Sequence, residues 1–404
     1  MIKLIENYKG LPRSMYILFS VQVINRFGDF VVPFLTILLT QKLGFSFSLT
    51  GLIVMVASVI TIPAAFIGGR YADKVGRKRI YIFGQGLAAC SIFICGLIKN
   101  PILITVLLIS SAFFNGLVRP ALAAMVTDLL PREKRQLGSS LMYLGINIGV
   151  VVGPIVEGFL FNNFIALFFI GDAVTSFVAV IIVFIFIKET NPIYVKTKVE
   201  NIAEEAAGGN LFQALSKRIE LLLFLLIYIL YSMVYTQHQF ALPMMLNKEF
   251  MGRGPTYYGL LLSVNAITVS TLTIFIVHLT HKFRPLTNII VAGIFYAIGF
   301  GMIGMINSFP LYIISTITWT VGEILVVTNF GVYLSNNSPR NFRARFSAVG
   351  SLSWAIGGAF GTSIIGIYID YAGIKALWPL IFFIAFTGVV LMTLLLIYSR
   401  SIKN

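Results

Sequence analysis

Apolar residues along this chain come in long runs separated by short polar loops. A helix that crosses a bilayer needs ~20 mostly apolar residues. Twelve such runs can be drawn, at 14–38, 48–69, 80–98, 102–129, 137–161, 164–187, 220–246, 257–280, 286–306, 309–335, 346–369 and 378–399. They are too long for barrel strands and do not alternate with period two, so the pattern predicts helices throughout. Composition turns that pattern into a statement about solvent. Of the 404 residues 58% are hydrophobic and 11% charged, against roughly 25% charged in a soluble domain. Lipid must be part of the surroundings, and the fold class is an all-α membrane protein of twelve transmembrane helices.

Charge orients the helices. The net charge of +15 could suggest nucleic acid as a partner, but the basic residues cluster in alternate short loops. With the N-terminus placed in the cytoplasm, cytoplasmic segments hold 23 Lys and Arg and outer loops five. Such a bias predicts both termini inside, an integral protein of a bacterial-type inner membrane, and no nucleic-acid role. The first apolar run is long and carries charges, so it is expected to remain in the mature protein. Cys90 and Cys95 fit no disulfide or zinc pattern and read as buried small residues. No metal site or cofactor is predicted.

The longest polar stretch, 188–219, divides the spans six and six. It reads as a cytoplasmic linker, with a short surface helix near 211–215, between an N-terminal bundle (1–187) and a C-terminal bundle (220–404). A shift of 208 residues places Pro131, Arg132 and Arg135 on Pro339, Arg340 and Arg343. It also places Gly149, Gly153 and Gly158 on Gly357, Gly361 and Gly366. Two parallel repeats are the expected outcome.

Three features carry candidate chemistry. The first is the cytoplasmic loop 69–79, with Gly69, Asp73, Lys74, Gly76, Arg77 and Arg79 at fixed spacing. A plain basic loop explains its cations but not its glycines or Asp73. Gly76 permits a tight turn, Asp73 can face the positive end of a helix, and Asp128 is placed to pair with Arg77. The counterpart 208 residues on has His281 and Arg284 in place of Asp73 and Gly76, so a latch here is expected to be one-sided. The second feature is the small-residue stripe of the fifth span: Gly145, Gly149, Gly153, Pro154 and Gly158. Small residues every four positions let another helix approach closely. Glu157 interrupts that stripe, either as a functional carboxyl or as a polar residue of an outer vestibule. The third is a set of ionisable residues inside spans: Arg26, Asp29, Arg119, Asp172, His238 and Glu323. Such groups are costly in a membrane and usually face a cavity or one another. Arg26 and Asp29, three apart, could simply pair, Asp172 could stabilise packing, and His238 could be polar packing or a gate. The aromatics Phe113, Phe114 and Phe240 lie near these polar positions.

The loop 69–79 matches the G-x-x-x-D-[RK]-x-G-[RK]-x-[RK] signature of the major facilitator superfamily at every defined position. With the six-plus-six arrangement and the length, the whole chain resembles that superfamily, built as two pseudo-symmetric six-helix bundles. Arg26-x-x-Asp29 before Pro33, Arg119 in span four and the Gly-Pro of span five look like its twelve-span drug:proton antiporter group. The antiporter pattern usually ends in two glycines, and Glu157 replaces the first. In relatives of this kind Asp73 latches onto the eleventh helix. The resemblance implies alternating access driven by a proton gradient, with export of amphipathic or cationic small molecules by a monomer. A proton-driven uptake symporter and a lipid or glycolipid flippase share the fold and stay open as alternatives. An enzyme is not expected, because no nucleotide loop or nucleophile motif appears.

Overall fold

The computed structural model describes residues 10–131, 134–190, 218–337 and 343–401. Most of the linker 188–219, the expected helix near 211–215, and Arg132, Pro339 and Arg340 lie outside the described residues. Among those described every regular element is helical. In chain order the membrane-length helices are α1 (Arg13–Lys42), α2 (Phe47–Val75), α3 (Arg77–Cys95), α4 (Pro101–Asp128), α5 (Arg135–Asn163), α6 (Ile165–Phe186), α7 (Ile219–Glu249), α8 (Gly254–Thr280), α9 (Pro285–Gly304), α10 (Phe309–Asn337), α11 (Arg343–Ala372) and α12 (Ile374–Ser401). Eleven are long and apolar enough to cross a membrane by length and composition. The twelfth, α3, has 19 residues and opens with Arg77, Lys78 and Arg79. Phe66, Phe83, Ile102 and Phe275 are among many large apolar side chains left exposed, the surface expected where lipid is the solvent.

The 208-residue repeat is a repeat of structure. Arg77, Pro101 and Arg135 begin helices, and so do Pro285, Phe309 and Arg343, each 208 residues on. Packing repeats too. α1 packs on α5 and α6, and α3 on α4 and α6; in the second set α7 packs on α11 and α12, and α9 on α10 and α12.

Two compact units result. The first comprises Met1–Leu35, Val56–Asn201 and Tyr258–Ser263, the second Thr36–Met55, Ile202–Tyr257 and Val264–Asn404. In the first, the glycine stripe of α5 lies on α1. A Cβ at Gly145 would meet Phe19, one at Gly149 would meet Arg26 and the backbone of Phe27, and one at Gly153 would meet the carbonyl of Phe27. Gly158 continues the stripe and is buried. In the second, Gly357 sits against Ile229 and Ser232, and Gly361 against Met233. One device, small residues at four-residue spacing, closes the same helix pair in each repeat. The cysteines do not share one environment: Cys95 is buried, but Cys90 is exposed, contrary to the expectation above. They are five apart, which on a helix puts them on opposite sides.

Gly149→Leu should therefore lower stability by about 1–3 kcal/mol, the usual cost of forcing bulk into a packed contact. Gly86→Ala, whose Cβ meets nothing within 4 Å, should be neutral. Thermal unfolding in detergent measures both.

Candidate functional site

Helix α1 is broken. Its first segment ends at Phe27 and the next begins at Val31, with Gly28 between. A break inside a membrane leaves backbone N–H groups without helical acceptors. Asp172 of α6 supplies one: its Oδ2 accepts the N–H of Val31 at 3.0 Å. The carboxylate thus caps a helix N-terminus, where the peptide dipoles favour negative charge. Asp29 sits in the same break and is held by Arg26, whose Nη1 lies 2.5 Å from Oδ2. Arg119 of α4 is exposed and lies within electrostatic reach of both.

Beside these groups the first unit encloses a cavity of about 60 Å³. Asp29 and Asp172 line it with Gln85, Ser111, Asn115 and Ser176, and its remaining wall is aliphatic. Gln85 donates through Nε2 to Ser176 Oγ at 3.1 Å. Glu157 does not line this cavity. It is buried in α5, 1% exposed.

In the second unit Glu323 of α10 is half-buried. Asn265 of α8 donates to its Oε2 at 2.7 Å and, through the same nitrogen, to Thr320 Oγ1 at 3.0 Å. Tyr235 also hydrogen-bonds the carboxylate. The ring of Tyr235 lies 5.8 Å from Tyr296, 6.1 Å from Trp319 and 5.4 Å from Trp354. The ring of His238 lies tilted against both Tyr235, at 4.3 Å, and Trp319, at 5.4 Å, with Nδ1 2.6 Å from the carbonyl of Tyr235. Its contacts are those of a packed aromatic. Phe240 is likewise buried and touches the Gly51 position, and Phe113 and Phe114 pair with each other. Mid-span polar residues therefore gather in two places, Arg26, Asp29, Arg119 and Asp172 in the first unit and Glu323 in the second. Sequence reasoning missed Asn265 and Tyr235, although a mid-span Asn in α8 was a readable signal.

The segment expected as a loop at 69–79 is instead helical on both sides of Gly76: it is the last turns of α2, to Val75, and the first turn of α3, from Arg77. Gly76 has φ +120°, a conformation that side chains disfavour. At the corresponding place Arg284 has φ −63°, so the second turn is of another kind. Arg77 forms an ion pair with Asp128 and lies 3.8 Å from Asp73. Burial pushes the Arg77 guanidinium below its usual range, and the carboxylates of Asp73 and Glu189 draw it back up. Glu189, which the motif does not include, caps α3: its Oε1 accepts the N–H groups of Arg77 at 2.8 Å and Lys78 at 3.3 Å. Its other oxygen occupies the space a Cβ on Gly76 would need. Lys74 and Arg79 are exposed, and Gly69 is half-buried with Pro120 as its neighbour. The side chains at the start of α11, to which Asp73 was expected to turn, lie outside the described residues.

The Major Facilitator Superfamily model matches residues 18–362. The chain is 28% identical over 373 residues to YqjV, an uncharacterized MFS-type transporter of Bacillus subtilis, with 90% of this chain and 87% of the relative covered. It is 26% identical over 351 residues to a Na(+), Li(+), K(+)/H(+) antiporter of Planococcus maritimus, with 81% and 82% covered. A crystal structure of a peptide transporter POT shares the fold at a TM-score of 0.82 and 16% identity, over 98% of this chain and 96% of that one. The chain belongs to the major facilitator superfamily, and these relatives are transporters rather than enzymes.

Arg77 is 13% and Asp128 20% exposed in the side chain. Removing one partner leaves a poorly solvated charge, so Asp128→Ala should cost about 3 kcal/mol. Arg77→Ala with Asp128→Ala should recover part of that loss. A double-mutant cycle on thermal unfolding reads the coupling.

Proposed function

We propose that this member of the major facilitator superfamily is a proton-coupled antiporter that exports cationic small molecules by alternating access. The reading places it in a bacterial inner membrane with both termini cytoplasmic, on the support of the loop-charge bias. Exchange rather than uptake is supported by the antiporter relative and by the resemblance of Arg26, Asp29, Arg119 and the Gly153-Pro154 stripe to drug:proton antiporters. A proton-driven symporter would move its substrate inward under the same gradient.

One observation carries the substrate class: Glu323 stands half-buried and hydrogen-bonded by Tyr235, whose ring lies among those of Tyr296, Trp319 and Trp354. A carboxylate flanked by aromatic faces suits a flat organic cation, which gains both an ion pair and cation–π contact. Protonation of Glu323 or Asp29 removes the charge that holds the substrate and lets it leave outward. The cavity beside Asp29 supports a second reading. Two carboxylates and the oxygens of Gln85, Ser111, Asn115 and Ser176 around about 60 Å³ would suit a small alkali cation, the class named for the Planococcus relative.

Everted vesicles separate the two. Uptake of ethidium into the vesicle lumen on energisation is expected, with Glu323→Gln reducing it roughly tenfold, about the worth of one cation–π and carboxylate contact. Ethidium transport untouched by Glu323→Gln combined with Asp29→Asn would sink the carboxylate assignment. Dissipation of a pH gradient by Na⁺ or Li⁺ that Asp29→Asn abolishes, without ethidium transport, would favour the second reading.

A further inference from the structure

Three carboxylates of the first unit lie within electrostatic reach of one another: Asp29, Glu157 and Asp172. Two are compensated. Asp29 has Arg26, and Asp172 has the amide of Val31 at a helix N-terminus. Among the described residues Glu157 has neither device. It is 1% exposed, and its Oε2 accepts no hydrogen bond. The charged groups that face it are Asp29 from α1 and Asp172 from α6, both acids. A further titratable neighbour among the described residues is Tyr258 of α8, 0% exposed, whose hydroxyl is also without a partner there.

The surroundings are otherwise aromatic and close-packed. Phe161, one turn after Glu157, lies 5.7 Å from Phe34, and Phe34 lies 5.2 Å from the ring of Tyr258. The backbone of α8 closes over the same turn of α5, since a Cβ on Gly259 would strike the carbonyl of Pro154. Pro154 and Glu157 are three residues apart and share a helix face. An isolated ionised carboxylate in such a place is very costly, more so beside two like charges. A neutral carboxyl is tolerated.

We propose that Glu157 is a proton-binding clasp that joins α5 to the beginning of α8. With a proton on a carboxylate oxygen the side chain stays in its apolar seat, and Tyr258 and Gly259 rest on α5. When the proton leaves, the only bond broken is that O–H bond, and the carboxylate must reach water. The contact between Pro154 and Gly259 then parts. This gives the Glu that interrupts the glycine stripe a purpose: it makes the packing of α5 conditional on protonation. The proposal deepens the proton-coupled reading above and rests on it, but it needs no particular substrate.

The test uses the full chain in lipid nanodiscs without substrate. Spin labels are placed at Asn163, the last residue of α5, and at Arg253, just before α8, with Cys90 and Cys95 replaced by alanine. The distance between labels should lengthen when the buffer changes from mildly acidic to mildly alkaline. Glu157→Gln should hold the short distance in both buffers, and Glu157→Asp, which keeps the acid, should restore the change. A parent protein whose distance ignores pH, or a Glu157→Gln variant that moves as the parent does, overturns the clasp. Because no substrate is present, absent ethidium transport alongside a pH-dependent distance would count only against the proposed cargo.

Discussion

Hydrocarbon offers no hydrogen bonds, and the structure is organised by that fact. Every backbone N–H and C=O at membrane depth must find a partner inside the protein, so uninterrupted helices are the default. Where a helix starts or breaks, a side chain takes over. Asp172 serves the break in α1, Glu189 serves the start of α3, and Asp370 accepts the N–H groups of Phe47 and Ser48 at the start of α2, at 3.2 and 2.8 Å. Three acids are thus held by helix ends. A carboxylate in that position has its charge balanced by peptide dipoles, which leaves less for it to do in a transport cycle.

The second constraint is close approach. Association between helices in lipid has no hydrophobic drive, so it depends on contact area and small residues. The stripes on α5 and α11 provide this for α1 and α7. Arg26, whose Cβ faces Gly149, is positioned by that packing.

The helical class, the number of spans and the turn at Gly76 were legible in the sequence because each follows from local pattern: run length, charge bias, or a glycine at fixed spacing. The partners were not. Asp172 meets Val31 across 141 residues of chain, Asn265 meets Glu323 across 58, and Arg77 meets Glu189 across 112. No periodicity encodes such pairings. The reading of Cys90 failed for a related reason: an apolar run does not say which of its faces meets lipid. Glu157 was noticed as an interruption of a motif, but that the charged groups facing it among the described residues are both acids, Asp29 and Asp172, is visible only in three dimensions.

The 208-residue repeat has an ancestral meaning. If the halves descend from one duplicated six-helix unit, equivalent positions began with the same side chain, and present differences record how duties were divided. Glu157 corresponds to Ile365, which is fully buried, so that niche accepts an aliphatic residue and the acid is an acquisition or a retention not dictated by shape. Glu323 corresponds to Asn115 in the wall of the first unit's cavity, and Asp29 to buried Gln237. At both of these positions one copy carries the charge and the other a neutral amide of similar size. At these two mid-span pairs the halves read as a single design in which ionisation was kept on one side.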